Sequence, residues 1–269
     1  MTSDPTRSLL ERMQSSVLTA VRKFSDVHAV GPFLVGLDAT NDLVWLNYAL
    51  PAVTHASDEQ IAAALPTIRL LFQQRSRVPR FEFFRALWPT LGPMLERSGY
   101  RLQKDMPLLA ASASDLRAVE APGVWVELVD PRAIADEELR EMVRLSRRAF
   151  GLRLPEPGQD EIERMRGDLL AGHCRTVRAR IDSHLAGVAT LMSAGGVSEL
   201  VGVGTDPRFR RRGVASVASR FLCKLHFETG GEVVWLSAAE ESARRVYARV
   251  GFRDVGVQAN YVDAAHRDA

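Results

Sequence analysis

The two halves of this chain carry the same run of elements. Offset by 152 residues, the step from Asp58 to Arg210, the second half lies on the first without a gap. Arg80–Phe84 then falls on residues 232–236, and Gly99-Tyr100 falls on Gly251-Phe252. From Arg80 to Gln103 only Ala86, Arg97, Gly99 and Arg101 are identical to their partners. The repeat therefore rests on the matched order of helix, strand, helix, Gly-aromatic and strand, not on shared letters. An internal repeat of this length is two copies of one domain and not a solenoid of short units. A chain of 269 residues has room for both.

Hydrophobic spacing and turn signals set the expected elements. After Ser3-Asp4-Pro5, a helix start, Leu10, Met13, Val17, Val21 and Phe24 recur at helical spacing. Apolar runs at 33–38 and 43–50 flank Ala39-Thr40-Asn41-Asp42 and read as a hairpin. Ser57 caps a helix carrying Ile61, Leu65, Ile68 and Phe72; a strand at 80–84, a helix at 88–97 and a strand at 100–109 follow. Pro66, Pro89 and Pro93 stand awkwardly in these helices. Ala121-Pro122-Gly123 is the expected boundary, before a strand at 124–129. Helices are then expected at 130–150 and 160–170, and strands at 175–181, 185–192 and 198–205. A long helix from Gly213, a strand at 233–237, a helix at 242–250 and a strand at 252–257 complete the pattern.

Bulk chemistry narrows the partners. A net charge of +2 is too small to indicate nucleic acid or a membrane surface. Cys174 and Cys223 are too few for a disulfide framework or a zinc site, which fits a reducing, cytoplasmic setting. No apolar run approaches a membrane span. His173, His184 and His226 show no metal spacing, so no metal is expected. Gly202-x-Gly204 lacks the third glycine and acidic follower of a dinucleotide fingerprint.

The densest chemical signal is Thr205-Asp206-Pro207-Arg208-Phe209-Arg210-Arg211-Arg212-Gly213-Val214-Ala215-Ser216. A strand runs into a tight arginine-rich loop whose glycine opens a helix. Unpaired backbone N–H groups at such a terminus, with the positive end of the helix dipole, favour a diphosphate. Gly213 lets the backbone approach closely, and successive N–H groups form an anion nest. The competing reading is an arginine-rich surface turn that happens to cap a helix.

Arg210-x-x-Gly213-x-Ala215 resembles the signature Arg/Gln-x-x-Gly-x-Gly/Ala of the GNAT superfamily of N-acyltransferases, and the preceding proline, aromatic and arginine match its lead-in. A second motif also resembles that family: Ala243-Arg244-Arg245-Val246-Tyr247-Ala248-Arg249-Val250-Gly251-Phe252, a helix ending in Gly-Phe. Glu240 stands where the family often has asparagine. The resemblance spans residues 124–257 and implies an α/β (α+β) chain of two GNAT-like lobes. Each lobe would be a mixed, mostly antiparallel sheet flanked by helices: a degenerate lobe at 1–120 and an acyltransferase domain at 121–269.

The resemblance also implies roles. Acetyl-CoA would be the acyl donor, its diphosphate on Arg210, Arg211, Arg212, Gly213, Val214, Ala215 and Ser216, its pantetheine arm along Val203, Gly204 and Thr205 where strands splay at a bulge. Tyr247 would protonate the departing thiolate; its spacing from Ala243 and Val250 equally suits a core residue. Glu199, eleven residues before Arg210, occupies the position of a general base in the histone-modifying branch, and a water or a plain strand charge are the alternatives. The acceptor would be an amine on a small molecule or peptide. An acyl-CoA-binding regulator without turnover and a tRNA-dependent aminoacyl transferase remain open. In the first lobe Asp58-Glu59-Gln60-Ile61-Ala62-Ala63 replaces the loop and Leu95 replaces the tyrosine, so that lobe is expected to bind no cofactor and to shape the acceptor cleft instead.

Overall fold

In the computed structural model, residues 4–39 and 41–266 are described; Ser3 and Thr40, which enter the expected first cap and hairpin turn, lie outside them. The chain divides into two compact units. One comprises residues 1–108 with 254–269, and the other residues 109–253.

The first unit contains α1 (Pro5–Phe24), β1 (Asp26–Val30), β2 (Phe33–Leu37), β3 (Tyr48–Pro51), α2 (Asp58–Gln74), β4 (Arg80–Phe84), α3 (Leu91–Arg97) and the start of β5 (Tyr100–Ala111). Its sheet runs β1-β2-β3-β4 and then takes in β11 (Arg253–Asp263) from the far end of the chain. β11 pairs antiparallel with β4, Ala259 opposite Phe83 and Tyr261 opposite Phe81. The core is aromatic: Phe33 and Tyr100 both meet the Phe81 ring edge-on, at 5.4 and 5.1 Å. α2 starts at the expected Ser57 cap, which forms a full capping box with Gln60. Pro66 does sit inside α2, where the burial of Ile61, Leu65, Ile68 and Phe72 holds the helix despite the lost hydrogen bond. α3 starts at Leu91, not at Trp88, so Pro93 occupies the first turn, where its missing N–H has no intrahelical acceptor. The expected strand at 43–50 is shorter, because Val44–Leu46 forms a 3-10 turn.

The second unit contains β6 (Val124–Leu128), α4 (Asp136–Ala149), α5 (Gln159–Leu170), β7 (Cys174–Ile181), β8 (His184–Met192), β9 (Val197–Thr205), α6 (Val214–Glu228), β10 (Val233–Ser237) and α7 (Glu241–Val250). Its sheet order is β10-β9-β8-β7-β6, antiparallel except for β9 with β10. On one face α6 lays Ala218, Leu222 and Cys223 into a core with Val177, Ala189, Leu191, Leu200 and Val234. Strand alternation sends Arg178 to the other face, where it meets Glu138 of α4 at 2.5 Å. α4 begins at Asp136, later than expected, since Asp130 accepts from the Arg132 N–H and makes a separate turn.

The order α1-β1-β2-β3-α2-β4-α3-β5 recurs as α5-β7-β8-β9-α6-β10-α7-β11, with β6 and α4 added before the second copy. Both copies are mixed, mostly antiparallel sheets with flanking helices. The compact units nevertheless divide earlier than Ala121-Pro122-Gly123. Leu109 and Ala111 are buried in the second unit's core, with Leu116 and Val119 packed against it. The Arg117 N–H binds the Val250 carbonyl at 2.9 Å. Ala259 and Tyr261 belong to the first unit's core. Among the described residues no helix is long and apolar enough to cross a membrane.

Candidate acyl-donor site

The site is built where two parallel strands part. β9 and β10 are paired from Val197/Val233 to Glu199/Trp235, and β9 then continues to Thr205 beyond that register. On its other edge β9 carries a bulge against β8: Val201 faces Thr190 and Gly204 faces Val188, leaving Gly202 and Val203 opposite Ala189. Gly202 adopts φ +60°, which lets the extra residue fit. The expected bulge beside Val203, Gly204 and Thr205 is thus present. Gly204 is also closely packed, since a Cβ would stand 3.2 Å from that of Ala149.

Beyond Thr205 the chain turns on Asp206, which is 2 % exposed. Its carboxylate accepts from the Arg208 N–H (3.0 Å), the Arg208 side chain (3.0 and 3.1 Å) and Arg148 of α4 (3.2 Å). Hydrogen bonds from Arg208 are the main reason that its pKa falls to about 2, against the opposing push of burial. Arg210 bonds the Ala149 carbonyl at 2.9 Å, so the end of α4 is tied to the loop twice. Asp206, Arg148 and Ala149 did not stand out in the sequence. Asp-Pro reads simply as a strand terminator, and only the fold brings Arg148 beside it.

Arg211 (φ +65°) and Gly213 (φ +80°) both take left-handed backbone, and α6 begins at once with no side-chain cap. The N–H groups of Val214, Ala215 and Ser216 therefore open α6 without a protein side chain satisfying them, the arrangement that receives phosphate. Arg212 and Arg208 lie over the Phe209 ring, at 5.9 and 5.4 Å. The contrast with the first unit is direct. There α2, the matching helix, is capped by Ser57 and carries Asp58 and Glu59 in its first turn.

Tyr247 lies half-buried on α7 with its ring edge-on to Phe252 at 5.8 Å. Burial, and secondarily the neighbouring Cys223 thiol, lift its phenol to about 12. It packs on the same core as Val203 and Ala243, so the packing and proton-donor readings meet in one side chain. Glu199 is half-buried on β9, at the last rung before β9 and β10 part. Cys223 and Cys174 are buried and their thiols are raised to about 12 and about 11 by burial, which makes them poor nucleophiles.

A bulged strand leading from a splayed parallel pair to an uncapped, arginine-rich helix start is the arrangement that the resemblance to the GNAT superfamily implies. Consistent with it, residues 139–252 match the acetyltransferase (GNAT) family. The chain thus carries a GNAT domain in its second half. Among solved structures it resembles a GCN5-related N-acetyltransferase from Kribbella flavida (24 % identity, 96 % of each chain covered, TM-score 0.78). It also resembles a GCN5-related N-acetyltransferase from Sphaerobacter thermophilus (16 %, 88 % of this chain and 79 % of that one, TM-score 0.67). A third is a tandem GNAT protein from the clavulanic acid biosynthesis pathway (14 %, 94 % and 89 %, TM-score 0.63). At these identities the structures share a fold across both halves. No curated protein matches the chain in sequence.

Proposed function

We propose that the protein transfers an acetyl group from coenzyme A to an amine by direct attack, with donor and acceptor held together. The observation that carries this reading is the continuous path from the β9–β10 opening, past the bulge at Gly202 and Val203, to the uncapped start of α6. Acetyl-CoA fits that path on its chemistry. Amide groups suit the free edge of a bulged strand, and a diphosphate suits helix N–H groups flanked by Arg210, Arg211 and Arg212. When bound, it supplies an activated acyl thioester.

The chain's own residues then have defined tasks. The backbone at 203–205 aligns the donor and offers an N–H toward the carbonyl oxygen. Glu199, directly or through a water, takes the proton of the attacking amine. Tyr247 keeps its proton at neutral pH and would share it with the departing sulfur as the bond breaks, since full transfer from a phenol near 12 to a thiolate of about 8.5 runs uphill. Holding both reactants at attack distance supplies much of the acceleration. We assign this chemistry to the second lobe and regard the first, at 1–120, as a degenerate copy without a donor site.

The packing of Tyr247 against Phe252 favours one further reading, a lobe that binds acyl-CoA without turnover. The two part in a thiol-release assay with acetyl-CoA and a broad panel of amines. Release dependent on at least one amine supports the transferase; binding without release across the panel supports the sensor.

A further inference from the structure

The end of α4 leaves one carbonyl over. Gly151 takes left-handed backbone (φ +70°), and the Leu152 and Gly151 N–H groups fold back onto the Arg147 and Arg148 carbonyls at 2.8 and 3.2 Å. This is a Schellman ending. The Phe150 N–H takes the Ser146 carbonyl at 3.1 Å. A helix leaves its last four carbonyls to find partners outside its regular ladder. Here three of them are met by the backbone, and that of Ala149 is met by the Arg210 side chain at 2.9 Å, from 61 residues further along the chain. A guanidinium at that point also lies at the negative end of the helix dipole.

The same turn of α4 backs the loop and strand at two further places. Arg148 donates to Asp206 at 3.2 Å. A Cβ built on Gly204 would stand 3.2 Å from the Ala149 Cβ and 3.7 Å from the Ser146 Cα, so the helix end forms the wall behind the β9 bulge. The three arginines before Gly213 are therefore not equivalent. Arg212 lies over the Phe209 ring. Arg211 has no side-chain partner among the described residues, which leaves it as the cation open to a diphosphate.

We propose that Arg210 is a positioning residue, acting on the donor through α4 and not as a ligand of the diphosphate. The inference rests on the donor path proposed above. Arg210 stays on the Ala149 carbonyl while acetyl-CoA is bound, and so keeps the last turn of α4 against Gly204. Without that bond the turn frays, and residues 203–205 lose the wall that fixes their course.

Amide exchange at Phe150, Gly151 and Leu152, with and without acetyl-CoA, reads this directly. In the free protein Arg210→Met should speed exchange there about three- to tenfold, the weight of one exposed charged hydrogen bond. Arg210→Lys keeps a donor and should restore most of the protection, whereas Arg211→Met should leave it unchanged. In the wild type, saturating acetyl-CoA should slow exchange at the same amides, because a contact that favours the donor is favoured by it in turn. By calorimetry Arg210→Met should weaken acetyl-CoA binding by a similar factor, and Arg210→Lys should recover it. Wild-type exchange that stays the same or speeds up when acetyl-CoA binds overturns the proposal; faster exchange would mean that Arg210 leaves Ala149 for the diphosphate. Exchange in the free protein that is indifferent to Arg210→Met overturns it too. A wild-type chain that binds no acetyl-CoA would instead remove the donor path itself, and this inference with it.

Discussion

A methyl group built on Gly213 would stand 2.7 Å from the Cβ of Ala121. The glycine that the sequence marks as a phosphate neighbour is thus also hemmed in by the segment entering its own unit, and φ +80° already disfavours any L side chain. Gly213→Ala should destabilise the protein by about 1–2 kcal/mol, the cost of left-handed backbone, and weaken acetyl-CoA binding. Adding Ala121→Gly should recover part of both losses. Thermal melts and calorimetry on the single and double variants check this. Recovered stability without recovered affinity would mean that the affinity loss arises at the phosphate and not through Ala121.

Asp206 carries a stability contribution with a defined pH window. Its folded pKa of about 2 lies below the ordinary 3.8, so the contribution is present above pH 4 and is lost as pH falls toward 2. Arg208 is largely exposed, so solvent screening keeps the contribution to about 1 kcal/mol or less. Urea titrations of wild type and Asp206→Asn should differ by that amount at pH 7 and converge near pH 2. The variant should also raise the KM for the donor more than it lowers kcat, because the turn leads into the proposed diphosphate loop.

Tyr247→Phe should lower kcat by about 10²–10⁴, the usual loss for a general acid, with little change in donor KM. With its phenol raised to about 12, wild-type activity should show no loss from tyrosine ionisation below about pH 10. A kcat within a few-fold of wild type would leave Tyr247 as a packing residue.

Cys174 and Cys223 should resist a thiol reagent in the native protein and react fully after denaturation, since burial suppresses both thiolates. Rapid native labelling of either would contradict the packing of β7 or α6.

What the sequence made legible was what local chemistry dictates. Ser57 announces the α2 cap, and an arginine run before Gly213 announces the loop. Elements fixed by partners far along the chain were harder to see. β1 was missed because Asp26, Val27 and Ala29 are exposed and give no apolar alternation. Nothing local in 254–263 says that this strand joins β4, 170 or more residues away, because backbone pairing does not record which strand supplies the edge. The Arg148–Asp206 pair was invisible for the same reason, as 58 residues separate its members.

Donor stoichiometry tests the central claim, that this chain has one acyl-CoA site and that it lies on the α6 loop. Calorimetry of the full chain with acetyl-CoA should give one equivalent per chain. Arg210→Asp with Arg211→Glu, which sets the acidic pair of the matching first-lobe segment into the loop before α6, should abolish it while the protein remains folded. Two equivalents, or one equivalent that survives this exchange, would contradict the account.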